Sequence, residues 1–427
     1  MSLLTTTDPD PLNAPLTSPA AIVGRRFPRW ATAVFWVVVA IAAMSTASYL
    51  TNEPQLTASS TIQIGLLRAL PILLAALGGL WAERSGVINI GLEGMMIFGT
   101  WGAAFGGYFW GPWVGVLAAA IFGAIGGALH ALATVTFGVN HIVSGVAINL
   151  LGAGVAKYLS SLIFAPISHN PRASPPVPTF DTYSVRGLGD WLGSLEKMQR
   201  VGLSDVAGIL RGLVTGLSPL TVLAVLLVPA SYLVLWRTRF GLRLRSCGEN
   251  PIAAESLGVK VYLHKYIAVI ISGAMAGLGG ATLVLSPGST GYLENQTDGR
   301  GYIGLAAMIF GNWRPSGLLG GAALFGYTDG LQLGPGGDAV LALLYAVVLL
   351  IVVIVIVQLF RRRWLSAGIG AVAAVFLYWI YWSVGSLPRE LTAYTPHIVT
   401  LIVMGVASQR LRPPKAQGFI YRRGSGG

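Results

Sequence analysis

Charge is what this chain has least of. Of its 427 residues only 10% are Asp, Glu, Lys or Arg, against about 25% in a soluble domain. That scarcity excludes an ordinary water-soluble fold. Cysteine is nearly absent: Cys247 is the single one, so no internal disulfide can form. Signatures of common enzymes are missing too. There is no G-x-x-x-x-G-K-[ST], so the chain carries no P-loop of its own. There is no G-x-S-x-G and no H-E-x-x-H. The histidines (His130, His141, His169, His264 and His397) lack metal-ligand spacing and read as satisfied or solvated imidazoles. No catalytic group, metal or cofactor is therefore expected.

Apolar sequence fills the space. Hydrophobic residues make up 54% of the chain, with 56 glycines. Runs at 31–50, 221–236 and 341–360 approach the ~20 residues that span a bilayer. The pattern predicts an all-α polytopic membrane protein with about 10–12 transmembrane segments, some of them broken or half-length. Segments are expected near 31–50, 61–82, 91–109, 114–137, 142–165, 219–236, 263–285, 301–311, 317–333, 339–360, 366–386 and 395–410. Residues 1–30 read as an N-terminal tail, 31–412 as the membrane domain and 413–427 as a C-terminal tail. Arg25, Arg26 and Arg29 precede a first segment too long for a signal peptide.

The net charge of +12 fits cytoplasmic loops better than a nucleic-acid surface. With the N-terminus inside, the inside loops collect Arg237, Arg239, Arg243, Arg245, Arg361, Arg362 and Arg363 among others. The short outside loops hold only Arg300 and Arg389. Both termini are expected on the cytoplasmic side of the cell membrane. Trp110, Trp113, Trp236, Trp364, Tyr378 and Trp382 fall near segment ends, as an interfacial aromatic belt would.

Two stretches are too short or too broken to span: 84–94 and 301–311. Non-helical backbone at membrane depth survives only where protein or a water-filled cavity covers it, which makes such breaks pointers to a translocation path. The hexapeptides at 96–101 (MIFGTW) and 308–313 (MIFGNW) resemble each other, so an internal repeat is possible; chance likeness between Gly-rich segments is the alternative. Arg68, Glu93, Lys157 and Asp329 are ionisable groups inside apolar segments, where charge is costly. Arg68 and Lys157 lie near enough to segment ends to snorkel. Asn89, Glu93, Asn140 and Asn149 are the candidate polar groups of a solute path. For Glu93 the alternative is a pair with Arg68 or a cap on a neighbouring helix; for Asn149 it is an interhelical hydrogen bond.

Residues 166–217 form the one sizeable polar insert. Leu188, Trp191, Leu192, Leu195 and Met198 recur at near-helical spacing opposite Glu196, Lys197 and Arg200. This predicts an amphipathic helix, either on the membrane surface, packed over the bundle or docked to an outside partner.

The loop at 237–262 holds a basic cluster and then a short helix. Asn250 suits an N-cap, Pro251 the first helical position and Gly258 the stop. Eight residues at about 1.5 Å each reach roughly 12 Å, so such a helix is marginal unless something holds it.

Three blocks carry a family likeness: residues 83–96 (ERSGVINIGLEGMM), 241–258 (GLRLRSCGENPIAAESLG) and 299–313 (GRGYIGLAAMIFGNW). With the helices between them, the chain over roughly 61–360 resembles the membrane permeases of ABC importers. The likeness is to the branched-chain amino acid/ribose/simple-sugar group, above all nucleoside and simple-sugar permeases paired with a basic-membrane-protein-type lipoprotein. The resemblance implies a nucleoside or simple-sugar solute, a second permease subunit, a separate ABC ATPase subunit that hydrolyses ATP, and an extracytoplasmic substrate-binding lipoprotein. It also implies that Glu249, Asn250, Pro251, Ala253, Ala254, Glu255 and Gly258 form a coupling helix seated in the ATPase. The insert and the segments beyond 366 look like additions to the family pattern. An ion-gradient-driven secondary transporter is the rival class; it would have no need of a capped short helix in a basic loop.

Overall fold

The computed structural model describes residues 29–185, 187–198, 200–333, 336–384, 411–422 and 424. Residues 1–28 of the expected N-terminal tail, Arg389 and the segment expected at 395–410 lie outside them. Helix α1 (Arg29–Thr51) leads through a 3-10 turn at Pro54–Leu56 into α2 (Ser59–Arg84). Then come α3 (Leu92–Trp110), α4 (Pro112–Ala131) and α5 (His141–Leu159). The last two run on through π-helical turns at Leu132–Thr136 and Ser160–Phe164, the second closed by the single turn α6 (Ala165–Ser168). A hairpin of α7 (Leu188–Glu196) and α8 (Leu203–Val214) precedes α9 (Pro219–Tyr232). The basic loop holds α10 (Arg239–Glu249) and α11 (Pro251–Ser256). The chain continues as α12 (Val261–Leu285), α13 (Arg300–Phe310), α14 (Pro315–Leu333), α15 (Gly337–Phe360) and α16 (Trp364–Ser383).

Among the described residues, eight helices are long and apolar enough to cross a membrane. α3 and α14, at 19 residues each, pack among them. The architecture is all-α and polytopic, and the expected segments other than 395–410 fall on these helices or on α13; 263–285, for example, meets Val261–Leu285.

The core is built on missing side chains. α12 packs against α2, α3 and α4. A Cβ on Gly123 of α4 would lie 2.3 Å from the Gly273 carbonyl of α12, and one on Gly99 of α3 would lie 2.3 Å from the Gly277 carbonyl. Backbones approach this closely only where both sides are small, and in lipid that close packing is a main source of association. α14 meets α2 in the same way, Gly326 against Ala69 and Gly330 against Gly65.

The insert is a helical hairpin packed over the bundle, rather than one amphipathic helix. Glu196, expected on the polar face, points inward: its carboxylate accepts the Ser59 N–H at 2.9 Å and Arg211 Nη1 at 2.8 Å. Asp205 of α8 accepts the hydroxyls of Ser45 (2.5 Å) and Thr57. Of the expected apolar stripe, Leu192 is buried, whereas Trp191 and Met198 are exposed. The two inward carboxylates decide the docking, because Glu196 takes a donor from the start of α2 and Asp205 takes donors from α1 and the α1–α2 turn.

Arg300 also differs from its expected place in an outside loop. It is the first residue of α13, buried, with Nη2 3.1 Å from Asp329 of α14. The pairing makes the burial of both charges tolerable. Lys157 meets Glu294 at 3.9 Å and stays largely exposed.

Candidate functional site

α2 does not turn smoothly into α3. Residues 85–91 form a non-helical stretch, opened by Gly86 at φ +91°, and α3 begins inside the protein. A second interrupted helix lies beside it. α13 has 11 residues, about 16 Å at 1.5 Å per residue, half a bilayer crossing. A Cβ on Gly304, in its second turn, would meet Ala75 and Ala76, near the middle of α2. Beyond its last turn, Trp313 reaches Glu83 at the end of α2.

Glu93, in the first turn of α3, caps α13. Oε1 accepts the Gly299 N–H at 2.9 Å and Oε2 the Gly301 N–H at 2.7 Å. The N-terminal amides of α13 have no partners within their own helix, and the helix dipole favours an anion there. Gly301 is what lets the carboxylate in: a Cβ there would stand 2.6 Å from the Glu93 backbone. Glu93 makes no ion pair with Arg68 among the described residues.

Asn149 of α5 does the same for α3. Its Oδ1 accepts the Gly94 N–H at 2.8 Å, while Nδ2 donates to the Ile90 carbonyl at 3.1 Å and to the Tyr302 hydroxyl at 2.9 Å. Asn89 folds back: Oδ1 accepts the Gly91 N–H at 3.0 Å and Nδ2 donates to Ser272 Oγ of α12 at 2.9 Å. Asn89, Glu93 and Asn149 thus meet at the two breaks. Asn140 does not join them; it is exposed and caps α5, its Oδ1 accepting the N–H groups of Ile142 (2.9 Å) and Val143 (3.3 Å).

His130 and His141, read from the sequence as satisfied or solvated imidazoles, are satisfied at the break itself, a place the sequence did not give. His130 bonds Ser144 Oγ (2.8 Å) and the Ile88 carbonyl (3.0 Å), while His141 Nδ1 accepts the Ile88 N–H at 3.2 Å. Two histidines therefore satisfy both backbone groups of one residue in the break. Tyr302, half exposed on α13, is the group of the cluster open to a passing molecule. A tyrosine in a Gly-rich half-helix was the signal available.

At the end of α2, the break meets the basic loop. A Cβ on Gly248 of α10 would stand 2.3 Å from the Arg84 carbonyl, so the two backbones touch. The basic cluster, expected as loop, is the helix α10. Thr238 caps it by accepting the Gly241 N–H at 3.0 Å, and Gly241, Leu244, Cys247 and Gly248 form its buried face. Burial pushes the Cys247 thiol up to about 11. Asn250 caps α11 as expected, its Oδ1 accepting the Ala253 N–H at 3.0 Å, with Pro251 at the first position and Gly258 at φ +81° just past the end. α11 has six residues rather than eight: Glu249 closes α10 and Leu257 leaves the helix. Pro251 and Ala254 face the protein, whereas Ala253 and Ser256 face away and Leu257 is 84% exposed.

The sequence that builds these two interrupted helices and the short capped helix matches a known family. The model described as branched-chain amino acid transport system / permease component covers residues 61–358. The chain belongs to this permease family. Among curated relatives, the guanosine ABC transporter permease protein NupQ of Bacillus subtilis is 38% identical over 275 residues, 63% of this chain and 80% of the relative. The nucleoside ABC transporter permease protein NupC of Lactococcus lactis is 34% identical over the same shares. A putative glucose ABC transporter permease protein, TsgC13 of Haloferax volcanii, is 34% identical over 61% of this chain and 73% of its own length. No solved structure matches the permease. Both interrupted helices and the basic loop lie within the matched residues, whereas α16 and residues 411–422 lie beyond them.

Proposed function

We propose that this permease is the membrane subunit of an ATP-driven importer for nucleosides or related sugar-containing solutes. A second permease subunit, a separate ABC ATPase and an extracytoplasmic binding lipoprotein complete the transporter. The relatives' substrates support the solute class. The absence of a P-loop from the sequence supports hydrolysis in another subunit. The Lys/Arg distribution supports a cytoplasmic α10–α11 loop and cytoplasmic termini.

One observation carries the mechanism: the end of α10 rests on the end of α2, at the point where the α2–α3 break begins. An ATPase holding α11 through Ala253, Glu255 and the exposed Leu257 would move α10, and α10 would move the break. The solute path runs along the face where Tyr302 of α13 and the bare side of α5 (Val146, Leu150) are exposed. Tyr302 offers a ring to a nucleobase and a hydroxyl, held by Asn149, to a sugar. Glu93 and Asn89 keep the two helix starts in place around it.

The test is uptake by the complete transporter in sealed vesicles. Radiolabelled guanosine should enter only with ATP and should persist when ionophores collapse proton and sodium gradients. Uptake that follows an ion gradient and ignores ATP would establish the gradient-driven class instead. Replacing Ala253 with Trp should leave the membrane domain folded but sever hydrolysis from uptake.

A further inference from the structure

Residues 411–422, which run from the expected end of the membrane domain at 412 into the C-terminal tail expected at 413–427, are packed against the protein. We infer that this segment is a strap that ties the α10–α11 loop to both interrupted helices, with Gln417 and Glu83 as its positioning pair. The inference rests on the coupling role proposed for that loop.

The backbone of the strap is bonded on three sides. On the loop side, the Ala416 N–H donates to the Gly248 carbonyl at 2.8 Å, at the end of α10. On the break side, the Gly418 N–H donates to the Gly86 carbonyl at 3.0 Å. On the α13 side, the Arg412 N–H donates to Asn312 Oδ1 at 2.8 Å. Tyr421 is buried in a cluster with Cys247 of α10, Ala254 of α11 and Val261 of α12. Lys265 Nζ lies 5.7 Å from its ring centre.

Glu83 is where these connections converge. Its buried Oε2 accepts both Trp313 Nε1, at 2.5 Å, and Gln417 Nε2, at 2.7 Å. Arg84 adds two bonds to the Trp313 carbonyl, Nε at 3.1 Å and Nη2 at 2.6 Å. One carboxylate oxygen thus joins the end of α2, the turn after α13 and the strap. At the other end of α13, Glu93 holds the first amides. α13 is therefore clasped at both ends by the chain segment that contains the break.

Direct contact between Gly248 and Arg84 transmits a push, because two backbones in van der Waals contact resist approach. It resists separation poorly. Hydrogen bonds at Gly248, Gly86 and Glu83 resist both, and one strap makes all three. The strap therefore makes the loop, the break and α13 move as one body in either direction. The residues matched by the family model end at 358, so this device is additional to the matched core.

The experiment uses the complete transporter in vesicles and reads guanosine imported per ATP hydrolysed. ATP-dependent uptake by the unaltered protein is the first reading; without it, the proposed function fails and not the strap. Gln417→Ala should lower the import-to-hydrolysis ratio by roughly fivefold, the order expected from losing one ordinary hydrogen bond. Gln417→Glu, which sets two carboxylates together, should lower it further. The exchange Glu83→Gln with Gln417→Glu restores a donor–acceptor pair and should recover most of the ratio. A purely structural strap would lower import and hydrolysis together, leaving the ratio unchanged, and that result overturns the inference. Should the variants not assemble, hydrogen exchange on the unaltered transporter decides. The Gly418 amide, the Trp313 indole-turn amides and the α10 end should change protection together between ATP-bound and free states. Independent responses overturn the inference.

Discussion

Glu93 and Gly301 are 208 residues apart in sequence and 2.7 Å apart as carboxylate and amide. A side chain from the start of one interrupted helix supplies the cap of the other. The two breaks are therefore one structural unit: whatever displaces the start of α3 also uncaps α13.

Glu93→Ala should uncap α13 and leave the Gly299 and Gly301 amides without their acceptor. The expected cost is about 1–3 kcal/mol for each buried group left unpaired. Thermal unfolding in detergent should show a lowered midpoint, and uptake should be lost. Glu93→Gln keeps an oxygen for one of the two amides and should fall between the parent and the alanine variant. Equal stability of all three would remove the cap from the account.

Tyr302→Phe removes the hydroxyl bonded to Asn149 but keeps the ring. One hydrogen bond is worth about 1 kcal/mol, so KM for guanosine uptake should rise roughly fivefold. Asn149→Leu also strips the cap from α3 and the partner of the Ile90 carbonyl, and should cost maximal rate and folded yield as well. If Tyr302→Phe and Tyr302→Ala transport alike, the ring does not meet the solute.

The α7–α8 hairpin should loosen in acid. Burial pushes the Glu196 carboxyl upward, but bonds from the Ser59 amide and Arg211 prevail and hold it below its ordinary value of 4.5. A carboxyl with a depressed folded value stabilises the fold fully above its unfolded value and loses that contribution as pH falls through the folded one. Proteolysis of the 187–214 hairpin should therefore accelerate below the ordinary carboxylate range. Glu196→Gln should cut as readily at neutral pH as in acid; a pH response retained in that variant would point to another group.

Cys247 should be inert. Burial raises its thiol to about 11, so little thiolate exists near neutrality. Maleimide should label the folded protein in membranes slowly and the denatured protein at once. Rapid labelling in the folded state would mean that the face of α10 packed against Tyr421 of the strap is not closed as described.

The helices were legible because their signal is local. An apolar run of bilayer length needs no knowledge of its neighbours, and the cap sequence Asn250-Pro251 with Gly258 fixes a short helix by its own backbone chemistry. The breaks were legible for the same reason: glycines and polar groups interrupt hydropathy wherever they occur. The echo between 96–101 and 308–313 misled in position. Its first copy lies in the second to third turns of α3, its second at the end of α13 and in the turn beyond, so the two do not mark equivalent points.

What the sequence determined by itself was therefore the class: a polytopic α-helical membrane protein, interrupted twice, with a capped short helix in a basic loop. Which side chains serve those interruptions was decided only in three dimensions. Asn89, Glu93 and Asn149 were visible as polar groups in apolar surroundings, yet nothing local distinguished them from Asn140, which caps its own helix at the surface. A cap on a distant helix depends on helix packing, and here on glycines such as Gly301 that admit the carboxylate. Gln417 and Glu83 stand 334 residues apart, and a polar residue in a C-terminal stretch carries no mark of the buried carboxylate it will meet. Burial of a polar group demands a partner, but only the folded chain specifies which one.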